Sequence, residues 1–441
     1  MAARPCSPPN RRSRPPMLPL LVLFVTAFVD MIGLTMVIPL LPYYATDFGA
    51  TATMVGVLIS AFSVSQLLVA PSWGRFSDRY GRRPAILAGL LLTSAAYLLF
   101  AFSGSLIALL ISRLIQGAGG GTIGVVQAYV ADVSPPDRRT KNLGWLSVVT
   151  SLAAVIGPVF GSITDRFGGK HAPGVAAAIL ALLVAAFALR FLRESRELRH
   201  TESHPLPSST TGRSAILGVL TRWREPAPRL IWIYTIAIGA FYGTIQTAPL
   251  LLSRRFGVNE HNIGYFVMYL GGMGVVVRSL ILGRMVDWLG EARLSRLGVV
   301  LLALGLAATG LATGYGSLAV GFTLMPIGTA FLFPCVTGLL TRVVPSNERG
   351  LYMGVQHTFG GVSRVAFPIA AGFLMDHAGV GVPFWLSGLL VLVTLPLSWA
   401  LVGYAMGDAP SREEARVIAT SDITDEFPIL APPDAKPASG G

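Results

Sequence analysis

Charge is what this chain has least of. Asp, Glu, Lys and Arg make up 13% of its 441 residues, against about 25% in an average soluble protein. Apolar residues make up 53% and mean hydropathy is +0.63, the balance of a chain that resides in a bilayer. Cysteine is nearly absent. Cys6 and Cys335, in a tail and in an apolar run, form neither a disulfide framework nor a metal site. The loop histidines His171, His200, His204 and His261 lack the spacing of metal ligands, so no metal is expected. No G-x-x-x-x-G-K-[ST] run occurs, which removes the usual phosphate cradle for ATP, and no cofactor is expected. The Arg- and Pro-rich residues 1–16 are not followed by a short apolar core with a small-residue cleavage site. The first apolar run therefore reads as a retained helix, not as a signal peptide.

What is present is a series of long apolar runs. Twelve lie near 18–44, 54–73, 84–103, 105–131, 143–165, 172–192, 229–252, 262–283, 294–314, 316–342, 351–374 and 380–404. Runs of about 20 residues cross the hydrocarbon core as helices. The 49 glycines and 30 prolines are many for a helical protein, but both residues are tolerated in membrane helices. A net charge of +12 would also suit a nucleic-acid partner, yet its distribution points elsewhere. With the N-terminus inside, 27 of the 34 Lys and Arg fall on inner segments. Only Arg166, Lys170, Arg254 and Arg255 fall on outer loops, while Arg113, Arg278 and Arg364 lie within helices. The positive-inside rule then predicts both termini in the cytosol. The expectation is a multi-pass protein of the plasma or inner membrane whose large partner is the lipid bilayer, with no nucleic acid.

The chain repeats itself. Residues 124–140 read G-V-V-Q-A-Y-V-A-D-V-S-P-P-D-R-R-T, and residues 334–350 read P-C-V-T-G-L-L-T-R-V-V-P-S-N-E-R-G. Arg139 and Arg349 are 210 positions apart, as are Pro158 and Pro368. The expected organisation is all-α: a tail (1–17), a six-helix half (18–192), a linker (193–228), a second six-helix half in the same orientation (229–405) and a tail of disordered composition (406–441). Residues 214–224 of the linker can form a short amphipathic helix at the membrane surface. Two parallel halves suit alternating access, in which a site at the midplane opens to one side at a time as the halves rock. The expected partners are then a small-molecule substrate and protons, with the protein acting as a monomer.

Asp30 is the one carboxylate well inside a span, and an intramembrane acid is a functional candidate by default. Counting 1.5 Å per residue puts Asp30 roughly 18 Å from the inner face. Arg113, entering from the outer side, falls at roughly the same depth of a core about 30 Å thick. Burial favours the neutral carboxyl and a nearby guanidinium favours the charged one. Opening and closing water access would shift that balance, loading a proton on one side and releasing it on the other. The alternative is a charge pair that only orders the bundle. Arg364 is again near the midplane, where it could meet a polar or anionic substrate or bond backbone carbonyls opened by Pro368; Arg278 is expected near a helix end, snorkelling. Gln66, Gln127, Tyr242, Gln246, Met268, Phe331 and His357 are candidate cavity residues, with helix packing as the alternative for each.

The stretch Gly74-Arg75-Phe76-Ser77-Asp78-Arg79-Tyr80-Gly81-Arg82-Arg83 sits as a basic loop between two apolar runs, and Gly283–Gly290 (G-R-M-V-D-W-L-G) echoes it in the second half. The pattern G-x-x-x-D-R-x-G-R-R resembles the signature loop of the major facilitator superfamily. That resemblance implies the major facilitator fold of twelve helices. It also implies a gating role for Gly74, Asp78, Arg79, Gly81 and Arg82, with Arg82 pairing Asp132. Asp78 is expected to face the helix N-terminus near 346–350 when the cytosolic side is closed. Three further runs resemble the tetracycline and multidrug proton antiporters of that superfamily. Asp30-x-x-Gly33 with Pro39-Leu40-Leu41-Pro42 matches their first helix. Arg113-Leu114-Ile115-Gln116-Gly117-Ala118-Gly119 matches the motif whose arginine is implicated in proton transfer. Gly157-Pro158-Val159-Phe160-Gly161 matches the helix-bend motif, with Ala153 and Ser162 where glycine is usual. One departure concerns tetracycline itself: Ala96 precedes Tyr97 where tetracycline exporters carry an acid. The resemblance implies a transporter, not an enzyme: an exporter of small amphipathic compounds driven by the proton gradient. The expected cargo is cationic or neutral, with Arg364 leaving an anionic group open. The rival expectations are a facilitator-fold importer that moves a sugar or metabolite with protons, and a non-transporting helical receptor or scaffold.

Overall fold

A computed structural model describes residues 17–120, 122–135, 138–192, 194, 212–345 and 347–399. The two tails, most of the linker, His200, His204 and Ser346 lie outside the described residues. The first half comprises α1 (Met17–Val37), the short α2 (Leu41–Asp47), α3 (Ala52–Tyr80), α4 (Arg82–Ala101), α5 (Leu106–Gly120), α6 (Ile123–Val133), α7 (Arg139–Gly168) and α8 (Ala172–Phe191). The linker contributes α9 (Gly212–Thr221). The second half comprises α10 (Pro226–Phe256), α11 (Ile263–Val276), a π-helical turn (Val277–Ile281), α12 (Leu282–Leu311), α13 (Tyr315–Val343), α14 (Arg349–His377), α15 (Val382–Val393) and α16 (Leu395–Trp399).

Among the described residues, ten helical segments are long and apolar enough to span a bilayer. One of them, Ile263–Leu311, is broken at Gly290 (φ 74°, ψ 158°) and carries two crossings. Val382–Ser398 is the last. That makes twelve crossings, in the order the apolar runs predict. The helices outrun the apolar stretches that nucleate them, because backbone hydrogen bonding continues into water where hydropathy has already fallen. The signature stretch is the clearest case. It was expected as a loop, but Gly74, Asp78 and Arg79 lie in the last turns of α3, and Arg82 begins α4. Gly81 alone makes the turn, at φ 110°, a conformation that side-chain-bearing residues rarely adopt. Gly290 does the same in the second half.

The end of the bundle that holds Gly81, Gly290 and α9 is called the linker end here, and the opposite one the far end. The amphipathic linker helix expected at 214–224 is α9. It packs on the second half: Ala215 and Val219 are buried, and the Trp232 indole N–H of α10 donates to the Val219 carbonyl at 3.0 Å.

Two seams join the halves, and the internal repeat relates them. At Gly264 of α11 an added Cβ would sit 2.3 Å from the Pro158 carbonyl oxygen of α7. At Gly56 of α3 it would sit 2.3 Å from that of Pro368 in α14. Both contacts are backbone against backbone, which only a residue without a Cβ permits. Small residues at helix interfaces allow this approach in membranes. Each seam ends in a carboxylate latch at the far end. Asp376 accepts from the Ala52 and Thr53 amides at 2.9 and 2.8 Å and from the Thr53 hydroxyl at 2.6 Å, capping the N-terminus of α3. Asp165 accepts from the Tyr44 hydroxyl at 2.7 Å and lies 2.9 Å from His261 Nδ1 across the interface. Ser162 donates to the Glu260 carbonyl and accepts from the Gly264 amide. Towards mid-membrane the Ser60 hydroxyl donates to the Val365 carbonyl at 2.6 Å. These hydrogen bonds and the ion pair cross between the halves from the far end to about mid-membrane, and fasten the halves there.

Candidate functional site

The first-half site is assembled by close helix packing. Gly157 and Gly161 of α7 lie against α1, where added Cβ atoms would meet Thr35 Oγ1 at 2.1 Å and the Met36 carbonyl at 2.3 Å. The helix-bend motif thus seats α1 one turn beyond Asp30. Gly33, three residues after Asp30, faces Tyr97 of α4, whose hydroxyl oxygen would be 3.2 Å from a Cβ there. Gly117 and Gly119 press α5 onto α3 and α4 and so fix Arg113 one turn earlier.

These contacts gather Asp30, Tyr97, Arg113 and Gln116. Tyr97, Arg113 and Gln116 are each at most 2% exposed, while Asp30 is half-buried. The Tyr97 hydroxyl lies within electrostatic range of both Asp30 and Arg113 and beside Gln116. No ion pair within 4.0 Å joins Asp30 to Arg113. In place of the direct pair that the equal depths suggest, Tyr97 interacts electrostatically with both charges. Arg113 instead stacks on Phe100 at 5.2 Å from the ring centre. Its Nε and Nη2 find no acceptor among the described residues. A buried donor without a protein partner costs about 1–3 kcal/mol, which makes Arg113 a candidate for function. Phe100 also stacks on Tyr44 at 5.3 Å, so one ring separates the cluster from the Asp165 latch.

At the linker end, Arg82 meets Asp132 as expected, Nε to carboxylate at 3.2 Å. It also bonds Asp78 at 2.7 Å and the Ser77 hydroxyl at 2.6 Å. Glu194 accepts from the Arg82 and Arg83 amides at 2.9 and 3.2 Å, an anion on the N-terminus of α4. In the second half, Glu291 and Arg342 pair at 2.8 Å in the positions that the repeat aligns with Arg82 and Asp132. The same ion pair thus occurs twice with its signs exchanged. The partner expected for Asp78 near 346–350 includes Ser346, outside the described residues. Within its own half Asp78 pairs with Arg82 at 2.7 Å.

The remaining candidates are scattered. Gln66 is tied to α5, its amide donating to the Gly120 carbonyl at 3.2 Å. Gln127 and His357 are exposed, Gln246 is half-buried, and Tyr242 and Met268 are 36% and 38% exposed. Phe331, expected as a cavity residue, is instead packed with Val277, Leu294, Ala330 and Cys335 inside the second half, because α13 turns that face towards α12. Arg364 partly follows the backbone-bonding alternative: its Nε donates to Gly360 of its own helix at 3.3 Å. Arg278 was expected near a helix end. It lies mid-helix on the π turn, because the helical path continues past 283 towards Gly290. Gln356, beside His357 and like it a polar residue within a span, is the buried residue of that pair. The grouping of Asp165, Glu260 and His261, whose ligand atoms lie within 4.8 Å of one another, was not foreseen.

Two six-helix halves joined at one end, with an acid and several cations held within the spans, are the arrangement of a membrane transporter. The family model of the Major Facilitator Superfamily matches residues 23–313 and 274–431, and the chain belongs to that family. It is an integral multi-pass membrane protein that transports small molecules, and not an enzyme. It is 28% identical to multidrug resistance protein 2 of Bacillus subtilis (strain 168) over 86% of this chain and 94% of the relative. It is 26% identical to the class B tetracycline resistance protein of Escherichia coli, over 88% of this chain and 97% of the relative. Its fold also matches a crystal structure of a bacterial homologue of the human lysosomal transporter Spinster in an inward-facing and unoccupied conformation. That match has a TM-score of 0.73 and 14% identity, and it covers 91% of this chain and 100% of the other.

Proposed function

We propose that this chain is a proton-coupled antiporter that exports small amphipathic compounds. It acts as a monomer in a plasma or inner membrane with both termini cytosolic. The observation that carries the reading is the placement of Asp30, an acid within a span, beside buried Tyr97, Arg113 and Gln116. Relatives named for multidrug and tetracycline resistance support the outward direction. With the termini cytosolic, the far end is external, and the arrangement described is closed to the outside. A proton entering from outside and a substrate entering from the cytosol would then compete for one central region. Mutual exclusion of two ligands is what couples opposite fluxes. Ala96, where tetracycline exporters carry an acid, argues against tetracycline as the particular cargo.

Inverted vesicles energised by respiration test this directly. They should accumulate a fluorescent amphipath and release it when an uncoupler is added. Inward movement of substrate with protons in whole cells would replace the antiporter by a symporter.

The linker-end stretch carries a second test. In the state closed at that end, Asp78 is expected on the N-terminus of α14. Asp78→Asn keeps the shape and removes the charge. It should slow transport about tenfold, since an anion at a helix N-terminus contributes up to ~1–2 kcal/mol, while substrate affinity stays within about twofold. Thiol labelling from the cytosolic side should rise. An unchanged rate together with unchanged labelling would reduce the stretch to a marker of topology.

A further inference from the structure

Among the described residues, the second half holds cations that no acid answers. Arg364 is thirteen residues from the far end of α14, Tyr242 fourteen from that of α10, and Arg278 fifteen from that of α11. At 1.5 Å per residue all three lie about 20 Å from the far end, near mid-membrane. The Arg364 guanidinium sits 5.7 Å from the centre of the Tyr242 ring. Only its Nε is bonded, to Gly360 of its own helix. Its terminal nitrogens have no partner among the described residues and are not enclosed. Arg278 is within electrostatic range of the same tyrosine, and His357, two turns along α14, is within range of Arg364. The second half's described carboxylates are elsewhere. Glu291 is paired with Arg342, Asp376 caps α3, and Glu225, Glu260, Asp287 and Glu348 stand near helix ends. A charge kept within a membrane without a counter-ion is costly, and a tyrosine face offsets only part of that for Arg364. Arg278 also sits on the π-helical turn, a distortion frequent at functional sites.

We propose that Arg364 and Arg278, flanked by Tyr242 and His357, form a subsite for the anionic group of an amphipathic substrate. The chemical class is an organic anion, a carboxylate or sulfonate on an apolar body. Arginine's planar fork binds such groups in a bidentate manner, and a ring beneath it fixes the plane. The inference rests on the transporter reading above and departs from the cationic or neutral cargo that Asp30 alone suggests.

Three probes of one scaffold test it: dansylglycine (anion), dansylglycinamide (neutral) and dansyl-ethylenediamine (cation). The full-length protein in liposomes with an imposed pH gradient should move dansylglycine at least about tenfold faster than either other probe at low concentration, as a charge-assisted bidentate contact allows. Arg364→Gln and Arg278→Gln should each lower the ratio of anion to cation transport about tenfold, with Arg364→Lys in between because charge survives and the fork does not. Equal losses for all three probes in Arg364→Gln would overturn the subsite. So would a wild-type preference for the cation or the neutral probe, and gradient-driven movement of that probe would leave the transporter reading standing. Movement of none of the three would count against both.

Discussion

Asp30→Asn should abolish transport driven by a pH gradient while leaving the protein folded, inserted and able to bind substrate. The amide fills the same space and keeps a hydrogen-bonding group towards Tyr97, but it carries no exchangeable charge. Coupling needs a group that is charged in one access state and neutral in the other. Asp30 is the carboxylate placed for that within the first half's spans; Asp165, at the far end of α7, is committed to Tyr44 and His261. The loss should be at least about a hundredfold, near 2.7 kcal/mol in barrier. Downhill exchange of substrate without a gradient should persist, and that separates lost coupling from lost folding. Two companions refine the assignment. Arg113→Ala should be nearly as inactive, with Arg113→Lys retaining part. Tyr97→Phe should keep the packing against Gly33 and remove the hydroxyl that senses both charges, slowing coupled transport more than exchange. Full gradient-driven transport by Asp30→Asn would sink the proton-coupling assignment.

The second large effect is expected at the seams. Gly264→Val drives a side chain into the Pro158 carbonyl, and Gly56→Val drives one into that of Pro368. Neither neighbour is the tip of a flexible side chain, so the helices themselves must part. Overpacking of this kind costs about 1–3 kcal/mol, and at 1.4 kcal/mol per factor of ten the far-end-closed state would lose between fivefold and about a hundredfold in population. Val258→Cys, in a background with Cys6 and Cys335 replaced by serine, reports on it. Val258 is 5% exposed and its carbonyl accepts from the Tyr43 hydroxyl across the interface. A membrane-impermeant maleimide should label it faster in either valine variant, and transport should fall because one of the two states is disfavoured. Unchanged labelling and transport would mean that the backbone contacts at the seams are not needed for closure.

Much of the fold was legible because hydropathy and the 210-residue repeat are one-dimensional signals. Asp30 was legible for the same reason: an acid in an apolar run stands out in the string. What the string hides is pairing across elements. The exchange of Arg82–Asp132 for Glu291–Arg342 looks like a failed match between repeats until the structure shows that each position kept its partner. His261 was read as a loop histidine without ligand spacing, since its partner Asp165 lies on α7, nearly a hundred residues away. The signature stretch was taken for a loop because its charge breaks the apolar run. Charge ends a span but not a helix, and only Gly81, with its positive φ, ends that one. Arg278 was misplaced for the same reason, the span having been ended at 283.

At the linker end, four polar links lie within single halves: Arg82 with Asp132, Glu194 with α4, Glu291 with Arg342, and α9 with α10. A cut between Glu194 and Gly212 would sever the chain without severing any of them. The two pieces meet along the repeat-related seams at Gly56 and Gly264, so co-expression as two separate polypeptides is expected to give a transporter that assembles in the bilayer. Each piece could then be labelled, titrated or exchanged for that of a relative without touching the other.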